Sequence, residues 1–154
     1  MPDSNGPEGD VVRLFEERFG VARATLAAFT FHERRDEIWA CTAPPPPGIE
    51  SARPPGLRAL RRQGGDLKPT STFLTALGPA ITAASVDLDA DALRRLLLGQ
   101  RISSPCDLTD GHVALRFGGD VVGCGRLRAG SLQALIPTGR RRELLGALAT
   151  NARR

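Results

Sequence analysis

The side chains best suited to chemistry in this 154-residue chain are arginines. Arg140, Arg141 and Arg142 follow Ile136-Pro137-Thr138-Gly139, so an apolar strand end runs straight into three cations. Arg116, Arg126 and Arg128 lie upstream in segments that alternate like strands. Guanidinium groups projecting from the rim of a sheet suit phosphate, because such contacts supply most of the sequence-independent affinity for nucleic acid. The same run also fits a solvated basic edge that discourages strand pairing, or the first turn of a helix that continues through Glu143 and the leucines after it.

Catalytic constellations are harder to find. His32 and His112 stand 80 positions apart and neither has a two-histidine metal spacing. Cys106, in Ser103-Ser104-Pro105-Cys106-Asp107, would need a neighbouring base or cation to become a nucleophile. Arg101 is near in sequence, but Asp107 and Asp110 oppose it. The glycines of Gly118-Gly119 and Gly123-Cys124-Gly125 sit inside a hairpin with no helix opening after them, so they do not form a dinucleotide fingerprint. There is no phosphate-cradling loop with its lysine, and the acidic residues show no acid–base pairing pattern. The expectation is a protein that is not an enzyme, with no cofactor and no metal.

These residues must be positioned by ordinary soluble-domain elements. Asp10 reads as an N-cap for a helix carrying Val11, Leu14 and Phe15 and ending at Gly20. A short helix over Arg23–Ala28 precedes a hairpin, Thr30–Arg34 and Glu37–Cys41, turning at Arg35-Asp36. Pro44–Gly48 can continue neither a helix nor a central strand and reads as a connector between lobes. Leu57–Arg62 reads as a strand, Thr70 or Ser71 as the cap of a helix over Thr72–Leu77, and Ala83–Leu88 as a strand. Asp89 caps an amphipathic helix with Leu93, Leu96 and Leu97 on one face and Gly99 as its stop. The last third predicts a three-stranded meander: His112–Phe117, Asp120–Arg128 and Ser131–Ile136. With Gly118-Gly119 as the hairpin loop, Leu115 faces Val122 and Val113 faces Cys124 on an apolar inner face. Gly123 and Gly125 then fall on the outer face, opposite Ala114 and His112. There they either let the sheet bend sharply or let a flat ligand approach bare backbone.

The composition is that of a soluble globular protein, 41% hydrophobic and 25% charged, long enough to fold without staples. Three cysteines (Cys41, Cys106, Cys124) exclude a disulfide framework and suit a reducing compartment. No apolar run approaches bilayer length and the first ten residues lack the marks of a signal peptide, so the expectation is a cytoplasmic protein without membrane contact. Net charge is +4, and it is segregated: residues 101–154 hold nine arginines against four carboxylates. Lys68 is the only lysine. With no tyrosine and one tryptophan, composition favours backbone and shape recognition over a stacking platform.

Two stretches carry a resemblance. Lys68-Pro69-Thr70-Ser71-Thr72-Phe73-Leu74…Gly78, and Asp110-Gly111-His112-Val113-Ala114-Leu115-Arg116-Phe117…Gly123-Cys124-Gly125…Gly130-Ser131-Leu132…Ile136-Pro137…Arg140, resemble the C-terminal PUA-like RNA-binding region of Sun/RsmF-type RNA cytosine-5 methyltransferases. Arg18-Phe19-Gly20-Val21 is similar to the segment preceding it. The resemblance spans about residues 10–142 and implies an α+β fold: a small mixed β-barrel (PUA-like) with flanking helices and an N-terminal helix–hairpin lobe. The expected division is a disordered tail over 1–9, an α/β lobe over 10–48 and the PUA-like domain over 49–154. The implied role is non-catalytic binding of structured rRNA or tRNA in RNA modification or ribosome assembly. The alternative is an interaction subunit docking on a separate methyltransferase or ribosome-assembly protein. Lys68, Arg116 and Arg140 match the family pattern. His112 replaces a usual tyrosine and Thr138 a common lysine. The candidate RNA-binding set is therefore Lys68, Arg116, Gly123, Gly125, Arg126, Arg128, Arg140, Arg141 and Arg142.

Overall fold

The computed structural model describes residues 6–42 and 56–152, a mixed α+β structure divided into two compact units at Ala83/Ala84. Residues Met1–Asn5 and the proline runs 44–47 and 54–55 lie outside the described residues.

The first unit begins with helix α1 (Pro7–Val12), capped by Gly6 rather than Asp10. Proline at the first helical position loses no hydrogen bond there, which places helix where a disordered tail was expected. The chain continues through a π-helical stretch, Arg13–Arg18, and the short helix α2 (Arg23–Leu26). Four antiparallel strands follow in sheet order: β1 (Thr30–Arg34), β2 (Glu37–Cys41), β3 (Leu57–Gln63) and β4 (Asp66–Pro69). Helix α3 (Ser71–Leu77) opens on Thr70, whose hydroxyl accepts from the Phe73 amide. Because β2 pairs with β3 across the proline-rich connector, residues 57–83 belong with the N-terminal elements. The expected boundary at 48/49 falls outside the described residues, and the contacts among the described residues divide the chain at Ala83/Ala84.

One face of this sheet is apolar. Phe31, Ile38, Ala40 and Leu60 are buried, as are Phe15, Phe19, Leu26 and Leu74. Phe73 is the hub, with Phe15 and Phe29 in edge contact at centroid distances of 5.2 and 5.4 Å. Arg62 ties the elements together, paired with Asp10 of α1 and with Glu33 of β1 at 2.5 Å. The hydrogen bonds it donates to Glu33 and then to Asp10 raise the guanidinium's pKa, so its charge is permanent.

The second unit holds a five-stranded mixed sheet in the order β5 (Ser85–Leu88), β7 (Gly111–Phe117), β8 (Asp120–Arg128), β9 (Ser131–Ala134), β6 (Ile102–Ser103). β5 and β7 are parallel, joined through helix α4 (Ala90–Leu97) and β6. Asp89 caps α4 by accepting from the Ala92 amide at 2.7 Å. Helix α5 (Thr138–Ala152) closes the unit. Leu93, Leu96 and Leu97 of α4 and Leu148 of α5 pack with Val113, Leu115, Leu127, Leu132 and Ala134 of the sheet.

The β7–β8 register departs from expectation in one decisive place. Phe117 faces Asp120 and Arg116 faces Val121, as the Gly118-Gly119 loop requires, but a bulge then slips the pairing by one residue. Beyond it Leu115 faces Gly123, Ala114 faces Cys124, Val113 faces Gly125 and His112 faces Arg126. A slip of one exchanges the two faces of a strand. Gly123 and Gly125 therefore share the core face with Leu115 and Val113. Cys124 and Arg126 turn to the opposite one.

Candidate nucleic-acid interface

The face of the second sheet that turns away from the leucine core carries the chemistry. His112 on β7 pairs with Arg126 on β8, and Arg126 with Gln133 on β9. Arg128 pairs with Ser131, and both are two residues from the first row, so all these positions share one face. Arg101 immediately precedes Ile102, which pairs with Leu132, and this brings a third guanidinium to the β6 edge beside Gln133. Arg101, Arg126, Arg128, Ser131 and Gln133 line one groove of about 220 Å³. None of the three arginines has a carboxylate partner among the described residues. Arg101 and Arg128 are exposed, and Arg126 is half-buried.

Three cations on one strip of sheet, with a hydroxyl and a carboxamide between them, make an arrangement that can take an anion. Unpaired guanidinium groups repel one another and lower that repulsion by taking an anion. Their fork geometry matches phosphate oxygens, and Ser131 and Gln133 add neutral hydrogen bonds. The strip contributes charge and hydrogen-bond donors.

The other expected residues are distributed differently. Arg116 is half-buried at the far end of β7, its Nη1 donating to the Gly119 carbonyl at 3.2 Å. Lys68 belongs to the other unit, on β4, and donates to the Gln63 side chain at 3.1 Å. Arg140 pairs with Glu143 at 2.9 Å within the first turns of α5. Arg141 is turned inward, donating from Nε to the Ile136 carbonyl at 2.6 Å and from Nη2 to the Ala134 carbonyl at 3.1 Å. It satisfies the end of β9 and is a structural residue, which removes it from the interface. Arg142 is exposed. The triple-arginine run is thus a helix start, the last of the three readings open to it, and its side chains part in three directions.

The two glycines are also corrected. Both are buried. A Cβ on Gly125 would lie 2.8 Å from Leu115 Cδ2 and 3.1 Å from the Gln133 carbonyl oxygen. The bare backbone at Gly125 is thus covered by a leucine of the core, and no ligand reaches it from that side. Of the expected set, Arg126 and Arg128 come together. Arg101, Ser131 and Gln133 join them and were not expected. The two-residue strand β6 is too short for any periodicity to announce, and that is what hides Arg101.

Cys106 is exposed in the β6–β7 connection, with the Ser104 hydroxyl donating to its carbonyl at 2.7 Å, while Cys41 and Cys124 are buried. Among the described residues no three His, Cys, Asp or Glu side chains gather as a metal site would need, and no helix is long and apolar enough to cross a membrane. No family model matches the chain, and no curated protein matches it.

Proposed function

We propose that this chain is a non-catalytic RNA-binding protein with a PUA-like domain over residues 49–154, whose sheet in the second unit holds structured RNA by its backbone. The observation that carries this is the strip of Arg101, Arg126 and Arg128, without a carboxylate partner among the described residues, beside Ser131 and Gln133. Guanidinium groups left without acids on a surface favour a polyanion, and groups fixed on one sheet favour one of defined shape. The choice of RNA rests on the Lys68–Gly78 and Asp110–Arg140 motifs and on the excess of arginine in the last third of the chain. Affinity from such a strip comes from phosphate and is salt-dependent. Sequence preference would come from the shape of the RNA.

Ultraviolet crosslinking in cells that make the protein, followed by sequencing of the attached RNA, tests this. Enrichment of rRNA or tRNA segments with paired stems is the expected result, with crosslinked peptides from β8 or β9. Recovery of no RNA above a mock purification would overturn it.

A further inference from the structure

The outer face of the first sheet is a second candidate surface, of different character. His32 on β1 pairs with Trp39 on β2, and Trp39 with Arg58 on β3. The next row is Arg34, Glu37, Arg61 and Lys68 across β1 to β4. Cross-strand partners share a face, so one tryptophan and one histidine stand among four cations and a single carboxylate. Glu37 is engaged by Arg58 at 3.3 Å and Arg61 at 3.5 Å. Arg34 and Arg35 have no acidic partner among the described residues.

Three further observations converge here. A groove of about 570 Å³ opens at the β1–β2 turn, lined by Arg34, Arg35, Asp36, Glu37, Trp39 and Arg61 among others, the cations outnumbering the two carboxylates. That volume lies within the range of small-molecule sites, large enough for a nucleotide. Trp39 Nε1, His32 Nε2 and Arg58 Nε are buried without a hydrogen-bond partner, three in one cross-strand row. Native folds rarely leave such atoms unsatisfied. Arg35 holds the turn with φ +56°, a left-handed conformation better suited to glycine or asparagine.

We infer that this groove takes an unpaired nucleotide of a single-stranded RNA segment, with the base against Trp39 and the phosphates on Arg34, Arg35 and Arg61. Arg58 lies over the indole, its Cζ 5.6 Å from the ring centroid, a cation–π contact that helps to fix the plane of the ring. The part of the indole that lines the groove is left for the base. A base needs only one aromatic plane, so the scarcity of aromatic residues limits how many bases are held and does not forbid one. The inference rests on the RNA-binding reading and deepens it: the strip on the second unit would hold structured RNA, and this groove a single-stranded neighbour of it.

Trp39 is the only tryptophan and there is no tyrosine, so intrinsic emission reports this site alone. The full chain is titrated with an RNA hairpin bearing a single-stranded adenosine tail, and with the same hairpin without it. The tail should quench Trp39 emission saturably, with the midpoint of binding, and should tighten binding. Trp39→Leu should remove the gain conferred by the tail, a loss of roughly five- to a hundred-fold, whereas Trp39→Phe should keep part of it. Circular dichroism melts of each variant establish that it is folded. If both hairpins bind equally and emission does not change, the inference falls and the RNA-binding reading stands. If neither hairpin binds, both fall.

Discussion

Gly125→Ala separates the two meanings a strand glycine can have. Its φ lies outside the left-handed region, so alanine fits the backbone, and in the absence of neighbours the change would stabilise by about 0.4–1 kcal/mol through the unfolded chain. The neighbours reverse the sign. The new methyl would stand 2.8 Å from Leu115 Cδ2 and 3.1 Å from the Gln133 carbonyl, where carbon contacts need about 3.5 Å or more. Leu115 is fully buried among the core leucines and the Gln133 carbonyl belongs to backbone beside the β8–β9 ladder, so neither yields easily. Overpacking of this kind costs about 1–3 kcal/mol, for a net loss near 1–2 kcal/mol. Urea unfolding followed by circular dichroism measures it. Leu115→Ala in the same chain removes the clash, so the double variant should be more stable than the sum of the two single changes by about 1 kcal/mol or more. RNA affinity per folded molecule should be unchanged in Gly125→Ala. Normal stability with lost RNA binding would refute the buried placement of the glycine and restore it to an open surface.

Arg141→Met removes the donors to the Ile136 and Ala134 carbonyls and should cost about 1–3 kcal/mol in urea unfolding, while leaving the salt dependence of RNA binding as it was. Arg142→Met, on the exposed side of the same helix, should stay within about 0.5 kcal/mol of the parent in that assay. Asp89→Ala deletes the cap of α4 and should lower stability by about 1 kcal/mol, with faster amide exchange in the first turn of that helix.

Much of the fold is legible in the residues, because local chemistry decides it. The β1–β2 hairpin turns at Arg35-Asp36, Thr70 and Asp89 cap their helices, and Gly64-Gly65 and Gly118-Gly119 supply the positive φ that two-residue turns need. What escapes is set by pairing between distant residues. The bulge after Leu115 leaves no mark in composition, yet it decides which face Gly123, Gly125 and Arg126 occupy. β4 is too short and too proline-bounded to announce itself, and its pairing with β3 fixes the limits of the first unit. The π-helical stretch Arg13–Arg18 shows the same apolar spacing as an ordinary helix. The candidate site follows the same rule. A run of three arginines is conspicuous in one dimension and scatters when wound into a helix. Arg101, Arg126 and Arg128 are inconspicuous and meet because three strands bring them side by side.

The salt dependence of RNA binding tests the central claim most directly. Affinity of the full chain for a structured RNA is measured over a range of monovalent salt, before and after Arg101, Arg126 and Arg128 are changed together to glutamine. If these side chains hold phosphates, affinity falls and the slope of log affinity against log salt becomes shallower by about 2–3, near one unit for each phosphate no longer neutralised. Equal slopes and equal affinities in the two proteins would contradict the account.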